Sequence, residues 1–193
     1  MKIRPVILCG GAGTRLWPKK SNHQAKQFID FGGWTLINKT FERIKSKVFD
    51  YPIISTNSKY IKDVKKALKK SRIKKYKIIL EPAKKNTAPA ILASALIKEI
   101  PNNQPLMYFT ADHLIEKPNK LITAINKNQS NLDEKNVFIF GIKPTSPSSE
   151  YGYFITKKKK NINKVTKFIE KPKVSRAKQV IRQKGYWNSG MFF

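Results

Sequence analysis

Apolar and amphipathic stretches alternate along about the first 140 residues of the chain. Short runs of apolar or β-branched residues predict strands at residues 5–9, 52–56, 77–80, 105–110 and 136–141. Apolar residues at helical spacing predict helices between them, at 35–48, after a cap at Ser58, at 86–100 and at 118–128. The run at 105–110 is almost continuously apolar, which is typical of a parallel strand covered on both faces.

This order of elements predicts an α/β fold with a doubly wound, mostly parallel sheet. The C-terminal part differs, with strands at 151–155 and 164–170, a helix near 174–184 and the start of another strand at 191–193. Little helix separates these strands, so an added antiparallel portion is predicted. No repeat or clear linker interrupts the chain, and its length suits one domain over residues 1–193.

The balance of charge is strongly basic, because 40 Lys and Arg residues against 12 Asp and Glu give a net charge of +28. Such a charge makes nucleic acid or an anionic membrane the first partner to consider. Most of the basic residues are lysines on polar faces, however, as in segments 62–77 and 157–164. A solvated cationic surface therefore accounts for the charge better than a specific nucleic-acid partner.

Cysteine content and hydropathy favour a cytoplasmic protein. The sequence contains one cysteine, Cys9, so a disulfide framework within the chain is excluded and a reducing compartment is expected. The apolar run at 5–9 is too short for the core of a signal peptide. The longest apolar stretch, 88–97, is too short for a membrane span, so no membrane partner is expected.

Glycines and polar residues follow three of the predicted strands. Residues 10–15 follow the first strand, Glu81 follows the third and Asp112 follows the fourth. In open α/β sheets, ligands bind beyond the carboxyl ends of the strands. The sequence therefore predicts that these three places contribute to one site.

The segment from Gly10 to Arg15 is rich in glycine but fits neither of two common phosphate loops. A Walker A sequence is absent, and Leu16 replaces the third glycine of the dinucleotide-binding fingerprint. Exposed backbone N–H groups with Arg15 and Lys26 close by still predict an anion-binding loop, since both side chains hold phosphate oxygens. A tight turn whose glycines only relieve backbone strain is the alternative.

The segment 10–28, GGAGTRLWPKKSNHQAKQF, resembles the signature of the sugar-1-phosphate nucleotidylyltransferases. Its Leu-Trp-Pro after Thr-Arg, and its final Lys-Gln-Phe, are similar to the mannose-1-phosphate guanylyltransferase branch of that family. Further motifs follow in the family's order: EPAKKNTAPAI (81–91), TADHLI (110–115), PTSPSSEYGYF (144–154), FIEKP (168–172) and YWNSGMFF (186–193). The resemblance covers essentially the full chain. It implies the family's Rossmann-like fold, with this chain as the N-terminal part of the catalytic domain.

The resemblance also implies a reaction. In it, GMP is transferred from GTP to α-D-mannose 1-phosphate with Mg²⁺ as cofactor, which yields GDP-mannose and pyrophosphate for nucleotide-sugar and polysaccharide biosynthesis. The attacking phosphate oxygen is already anionic near neutral pH, so catalysis rests on positioning and charge neutralisation. The scarcity of histidine, with His23 and His113 alone, fits a reaction that needs no base.

By this resemblance, the residues near the predicted strand ends bind the nucleotide. Arg15 and Lys26 would be catalytic residues that hold the phosphates, and Asp112 would hold Mg²⁺. Glu81 and Asn86 would read the guanine base. The remaining contacts to the nucleotide would come from Leu8, Gly10, Gly11 and Gly13. The alternatives are a turn residue at 112, a surface glutamate at 81 and a helix-capping asparagine at 86.

Later residues are assigned to the sugar phosphate, again by resemblance. Lys171 would be the third catalytic residue and hold the 1-phosphate, while Glu170 would bind sugar hydroxyls. Gly152 and Asn188 would contact further hydroxyls. A surface ion pair is the alternative for Glu170 and Lys171.

Two features depart from the family's pattern. Ala25 stands where the family usually has a proline before the phosphate-binding lysine, which loosens the loop without removing the charge. The family's catalytic domain also continues well past the WNSGMF motif, and its later part normally supplies a second acidic metal ligand. Either the remainder sits on another chain, with a homo-oligomer as one form of this, or the sequence is a fragment.

Two other functions stay open at this point. A related nucleotidylyltransferase would use glucose 1-phosphate with UTP or dTTP. An inactive fragment would bind nucleotides or polyanions through its positive charge, with an affinity that falls steeply with salt.

Overall fold

A computed structural model describes residues 2–11, 24–83, 87–158 and 162–193. The chain divides into two compact units, residues 1–127 and 128–193. Within the described ranges, no helix has both the length and the apolar character needed to cross a membrane.

The first unit contains a parallel sheet with helices between its strands. Its strands are β1 (Arg4–Cys9), β2 (Ile53–Asn57), β3 (Lys77–Glu81) and β4 (Leu106–Thr110). The strand order is β3-β2-β1-β4, and each of these pairings is parallel. The helices in this part of the chain are α1 (Leu36–Arg43), α2 (Ile61–Lys70), α3 (Thr87–Ala95) and α4 (Pro118–Asn128). The predicted parallel α/β arrangement is confirmed.

β4 is covered on both faces, as its apolar sequence predicts. Consecutive residues of a strand point to opposite faces of the sheet. Tyr108 faces α3, where its hydroxyl lies 3.0 Å from the hydroxyl of Ser94. Phe109 packs against Phe49 on the other face, with ring centroids 5.7 Å apart. The chain therefore covers both faces of this sheet, as in a doubly wound fold.

The second unit contains an antiparallel sheet. Its strands are β5 (Ile139–Ile142), β6 (Tyr153–Lys157), β7 (Lys164–Ile169) and β8 (Tyr186–Phe192), and α5 (Val174–Arg182) joins β7 to β8. β8 pairs with both β5 and β6, and β6 also pairs with β7, always antiparallel. Tyr153, Ala177 and Val180 form its fully buried core. The predicted antiparallel portion is confirmed.

The last strand starts earlier than its apolar sequence suggests. β8 begins at Tyr186, whereas the prediction placed the start of a strand at 191–193. The Asn-Ser-Gly sequence before that point is typical of a turn, and Gly190 does have a φ of +71°. Cross-strand contacts keep the segment extended, because the Tyr186 ring stacks on Phe154 at 5.8 Å between centroids.

Two helices end earlier than predicted. α1 ends at Arg43 and not at residue 48, because the chain beyond it bonds to Ile3. The N–H of Ile3 donates to the Val48 carbonyl at 2.9 Å, and the N–H of Asp50 donates to the Ile3 carbonyl at 2.8 Å. These bonds draw the backbone out of the helix. α3 likewise ends at Ala95 and not at residue 100.

The start of α2 also differs from its prediction. A short 3₁₀ turn, Ser58–Tyr60, comes before the helix. The side chain that accepts a backbone N–H is that of Asn57, from Lys59 at 3.2 Å. The prediction of Ser58 as the helix cap was therefore wrong: Asn57 caps the 3₁₀ turn, and the cap position of α2 is Tyr60, whose side chain makes no capping hydrogen bond.

A buried arginine ties together the amino ends of the parallel strands. Arg4 is 3% exposed, and its Nη2 lies 2.8 Å from Oδ2 of Asp50. Its Nη1 donates to the carbonyl of Tyr51 at 2.9 Å, and its Nη2 donates to Oε1 of Gln104 at 3.1 Å. Because Tyr51 precedes β2 and Gln104 precedes β4, the guanidinium joins three strands at the edge opposite their carboxyl ends.

Asp50 makes the stability of this cluster depend on acidic pH. Burial raises the pKa of Asp50, but the Tyr51 N–H, the Gln104 amide and the charges of Arg4 and Lys75 outweigh it, so the pKa lies below its usual value. Such a carboxylate stabilises the fold above its unfolded-state pKa of about 3.9. That stabilisation is lost as the pH falls through the lower folded-state pKa.

We expect Asp50→Asn to lower the free energy of unfolding at pH 7 by about 1–3 kcal/mol, because the substitution removes a charge-assisted contact to Arg4. Below about pH 4 the difference between the two proteins should shrink, since the carboxyl of the unaltered chain is then being protonated. Urea unfolding at both pH values measures this. A difference that stays constant down to pH 3 would contradict the assignment.

Candidate active site

The carboxyl ends of β1, β3 and β4 carry most of the residues assigned to the nucleotide. Leu8 of β1 pairs with Thr110 of β4, Gly10 and Gly11 follow β1, and Glu81 ends β3. A pocket at this edge is lined by Leu8, Gly11, Gln27, Thr110, Ala111 and Asp112. The buried hydroxyl of Thr110 has no hydrogen-bond partner among the described residues. Leu8, Gly11 and Asp112, predicted from separate parts of the sequence, therefore meet at one pocket.

Lys26 and Asp112 form an ion pair beside this pocket. The Lys26 Nζ lies 3.6 Å from Oδ2 of Asp112, and the side chains are 37% and 38% exposed. A pair with this exposure contributes about 0–1 kcal/mol to stability. Each group is therefore available to a ligand at little cost in stability.

Ala25, at the start of the short 3₁₀ helix Lys26–Phe28, has the conformation that proline would impose. Its φ is −60° and its ψ is 139°, and proline fixes φ near −65°. The departure from the family's proline therefore leaves the backbone before Lys26 in a proline-like geometry.

Gln27 fixes the backbone at Gly11, a role that no sequence pattern indicates. Its side chain is buried, and its Nε2 donates to the carbonyl of Gly11 at 2.9 Å. The same nitrogen lies 3.8 Å from the sulfur of Cys9. Lys26 and Gln27 thus connect the 3₁₀ helix to both sides of the pocket, Asp112 and Gly11. The Lys-Gln-Phe motif contained Gln27, but only its lysine was given a function.

Gly10 leaves room for the carboxylate of Glu81. A Cβ at position 10 would lie 3.0 Å from Oε2 and 3.1 Å from Oε1 of Glu81. Oε1 of Glu81 also accepts a hydrogen bond from the buried Ser55 hydroxyl at 2.7 Å. The side chain of Glu81 is therefore held between β1 and β2, and Ser55 is a second supporting residue that sequence patterns did not identify.

The thiol and the imidazole near the pocket are poorly suited to covalent or acid–base chemistry. Burial raises the pKa of Cys9 to about 12, so its thiol stays protonated at neutral pH. Burial also lowers the pKa of His113, with Arg43 and Lys26 acting in the same direction and Asp112 against it. The imidazole is therefore uncharged at neutral pH. These properties agree with a reaction that relies on charge neutralisation.

The four residues assigned to the sugar phosphate lie together within the second unit. The N–H of Asn188 donates to the Gly152 carbonyl at 2.7 Å. A Cβ at position 152 would lie 2.8 Å from Oε2 of Glu170. The Lys171 Nζ lies 2.8 Å from Oε1 of Glu170. These contacts therefore place the Glu170 carboxylate, the Lys171 ammonium and the Asn188 amide in a single cluster.

Lys171 has a backbone conformation that non-glycine residues seldom adopt. Its φ is +38°, in the left-handed region where a side chain is unfavourable. Such conformations cost of the order of 1–3 kcal/mol and tend to occur at functional sites. The side chain is half exposed, so both charges of the pair with Glu170 reach solvent.

A methyl group at position 152 is expected to displace Glu170. Gly152→Ala places a Cβ 2.8 Å from a carboxylate oxygen of Glu170 and 3.2 Å from the ring of Phe168. Both side chains are exposed and can rotate away, so the fold should tolerate the change. The resemblance assigns Glu170 to the sugar, so we expect the KM for a sugar 1-phosphate to rise by about tenfold, with the KM for the nucleotide unchanged. Steady-state kinetics of Glu170→Gln, and of the variant that carries both substitutions, complete a double-mutant cycle. Fully additive effects in that cycle would show that the glycine does not act through Glu170.

Gly13, Arg15 and Asn86, which are assigned to the nucleotide, lie outside the described residues. Within the described ranges, no group of three or more His, Cys, Asp or Glu side chains is arranged to hold a metal ion. Magnesium commonly binds proteins through one or two carboxylates together with substrate phosphates. A single half-exposed carboxylate, that of Asp112, fits this mode of binding.

Comparison with known proteins identifies the family. Residues 4–193 match the nucleotidyl transferase family. The chain belongs to the nucleotidyl transferase family. This membership agrees with the parallel sheet of the first unit and with the glycines and Asp112 at its strand ends.

The chain is similar to known proteins in sequence and to a solved structure in fold. The chain is 36% identical to a mannose-1-phosphate guanylyltransferase of Escherichia coli over 97% of its own length and 43% of the relative's. It is 33% identical to the alginate biosynthesis protein AlgA of Pseudomonas fluorescens over 97% of its length and 40% of the relative's. A Thermus thermophilus structure titled mannose-1-phosphate geranyltransferase superposes with a TM-score of 0.83 at 29% identity, covering 100% of this chain and 57% of that one. The chain thus spans less than half of the length of these curated relatives.

Proposed function

We propose that the protein transfers GMP from GTP to α-D-mannose 1-phosphate, which yields GDP-mannose and pyrophosphate. The observation that carries this proposal is a pocket lined by Gly11 and Asp112, with Lys26 paired to Asp112 beside it, in a chain similar to mannose-1-phosphate guanylyltransferases. Bare backbone, a cation and a carboxylate are the groups that bind a triphosphate and its metal ion. The similarity to AlgA supports a product that serves polysaccharide biosynthesis.

The reaction is an in-line displacement at phosphorus. A phosphate oxygen of mannose 1-phosphate forms a bond to the α-phosphorus of GTP, and the bond from that phosphorus to the bridging β-phosphate oxygen breaks. Pyrophosphate leaves with the electron pair of that bond. Because the attacking oxygen is already ionised near neutral pH, no side chain has to remove a proton. The protonated thiol of Cys9 and the neutral imidazole of His113 agree with such a mechanism.

The phosphates are held by cations and by bare backbone. Lys26 leaves its weak pairing with Asp112 to contact a phosphate oxygen, and Arg15 supplies a second cation. Gly10, Gly11 and Gly13 allow the nucleotide to approach the main chain. Support for this role comes from the hydrogen bond of Gln27 to the Gly11 carbonyl, which fixes that peptide before the ligand arrives.

The guanine base is read by Glu81 and Asn86, and Leu8 provides an apolar contact. A carboxylate accepts hydrogen bonds from the N1–H and N2–H₂ edge that guanine presents and adenine lacks. Ser55 already donates to Oε1 of Glu81, so Oε2 is the oxygen proposed to read the base.

Asp112 is proposed to hold Mg²⁺ together with the phosphates. When bound, the ion neutralises charge on the triphosphate and on the departing pyrophosphate. The 38% exposure of the Asp112 side chain leaves its carboxylate available for this contact.

The sugar phosphate is bound by the cluster in the second unit. Lys171 holds the 1-phosphate, Glu170 binds sugar hydroxyls, and Gly152 and Asn188 contact further hydroxyls. The support is that these residues form one cluster, with 2.8 Å between Lys171 Nζ and Glu170 Oε1.

A panel of substrates tests this proposal. Pyrophosphate release is measured for GTP, ATP, UTP and dTTP, each with mannose 1-phosphate and with glucose 1-phosphate. The highest kcat/KM is expected with GTP and mannose 1-phosphate. A preference for UTP or dTTP with glucose 1-phosphate would overturn the assignment of Glu81 to guanine and favour a related nucleotidylyltransferase.

A further inference from the structure

Arg43, the last residue of α1, lies buried beneath the segment that carries Asp112. It is 6% exposed, and its Nη1 donates to the carbonyl of His113 at 3.1 Å. Its Nη2 donates to the hydroxyl of Thr40 at 2.6 Å. That hydroxyl in turn lies 3.5 Å from the carbonyl of Thr110. Arg43 and Thr40 of α1 thus contact the carbonyls on the two sides of the Ala111–Asp112 dipeptide.

Stability alone does not explain an arginine at this position. Burial lowers the pKa of Arg43 to about 10, which shows how unfavourable the site is for a cation. Within the described ranges, Arg43 forms no ion pair with a carboxylate, and its Nε has no hydrogen-bond partner. A buried charge without a paired countercharge is costly, and an apolar side chain of similar size is often neutral or stabilising in its place.

The bonds that Arg43 makes bear on the orientation of Asp112. Thr110 ends β4, the N–H of Ala111 still donates to the Leu8 carbonyl of β1 at 3.2 Å, and the chain then leaves the sheet at Asp112. The Asp112 side chain, a third exposed, faces Lys26 at 3.6 Å. The bond from Arg43 to the His113 carbonyl and the contact from Thr40 to the Thr110 carbonyl restrain this segment from the protein interior.

We propose that Arg43 is a positioning residue, which fixes residues 110–113 so that the Asp112 carboxylate is presented to a divalent metal ion bound with the nucleotide. The inference rests on the function proposed above. Replacing a residue that orients a metal ligand, without contacting the metal itself, commonly changes metal affinity or activity by about 10- to 100-fold.

The chain offers a matched control for this inference. Arg4 is also a buried arginine of the first unit, at 3% exposure, and it also donates to a backbone carbonyl, that of Tyr51. It lies at the amino ends of the strands, however, at the edge opposite Asp112. Both Arg4→Met and Arg43→Met remove a buried guanidinium, and Arg4→Met also leaves the Asp50 carboxylate without its ion pair. A purely structural role therefore predicts a defect in Arg4→Met at least as large as that in Arg43→Met.

The experiment measures how much a metal ion strengthens GTP binding. Calorimetric titrations give the Kd for GTP with excess Mn²⁺ and the Kd with EDTA, at a temperature where circular dichroism shows each variant folded. For Arg43→Met, we expect the factor by which Mn²⁺ lowers the Kd for GTP to be about tenfold smaller, while the Kd in EDTA stays unchanged. Arg4→Met should keep the full enhancement. Arg43→Lys, which retains the charge but not the forked geometry, should fall between them and serves in place of Arg43→Met if the latter does not fold.

Each outcome has a distinct meaning. Equal loss of enhancement in the Arg4 and Arg43 variants, or no loss in either, would overturn the positioning role. Absence of any enhancement by Mn²⁺ in the unaltered chain would overturn both this role and the assignment of Asp112 to a metal ion. A selective loss in the Arg43 variant, in a chain that forms no GDP-mannose, would support the inference and contradict the proposed function.

Discussion

Asp112→Asn is expected to lower kcat by about 10³-fold while GTP still binds. A metal ion at a transferring phosphoryl group supplies several kcal/mol of charge stabilisation in the transition state. Each 1.4 kcal/mol corresponds to about a tenfold change in rate. Asparagine keeps the size of the side chain but loses the negative charge that attracts Mg²⁺. The loss should therefore appear in turnover, measured as pyrophosphate release at saturating substrates.

Unlike turnover, the binding of metal-free GTP should not be weakened by Asp112→Asn. In EDTA, the Asp112 carboxylate repels the triphosphate, so its removal should leave the Kd unchanged or slightly lower. Asp63→Asn, the same chemical change in the first turn of α2, provides the control and should keep full activity. An Asp112→Asn protein that retains more than a tenth of kcat would contradict the metal assignment.

Lys171→Met is expected to lower kcat/KM for mannose 1-phosphate by about 10- to 100-fold. A charge-assisted hydrogen bond to a phosphate contributes about 1.5–3 kcal/mol, and methionine cannot form one. The backbone strain should not change, because φ is +38° for lysine and equally unfavourable for methionine. The expected defect is therefore one of substrate binding and not of folding.

Kinetics with each substrate varied in turn distinguish this role from a general electrostatic one. The KM for GTP should stay within about twofold, because the lysine is assigned to the sugar phosphate alone. Lys178→Met removes the same charge from the exposed face of α5 and should leave both KM values unchanged. Equal defects in the two variants would mean that net charge, and not a specific contact, governs the affinity.

The strands β1 and β4 could be predicted because their sequences are almost continuous apolar runs. β1 and β4 are buried on both faces, so no polar residue breaks the pattern and the strand-ending glycine or aspartate stands out. β8 was harder, because Asn188 and Gly190 suggest a turn while pairing with β6 keeps the segment extended. The prediction of where α1 ends was wrong for a similar reason, since local periodicity does not reveal the hydrogen bonds between Ile3 and the chain beyond the helix.

Residues that support the site were out of reach of sequence patterns. Ser55 contacts a glutamate 26 residues away, and Arg43 contacts the carbonyl of a residue 70 positions away. Neither residue belongs to a local motif, and each makes its contact only when the strands are assembled in the folded sheet. Lys26 and Asp112, in contrast, could be assigned to one site, because both lie in motifs of the family.

The proposed reaction joins GMP to mannose 1-phosphate, and transfer of a labelled phosphorus atom tests it. The measurement supplies GTP labelled with ³²P at the α-phosphorus, together with mannose 1-phosphate and Mg²⁺, and separates the products. Label is expected in GDP-mannose, in an amount equal to the pyrophosphate released. A folded protein that binds GTP with an affinity falling steeply with salt, but transfers no label, would contradict the proposed reaction and would indicate a nucleotide-binding chain without transferase activity.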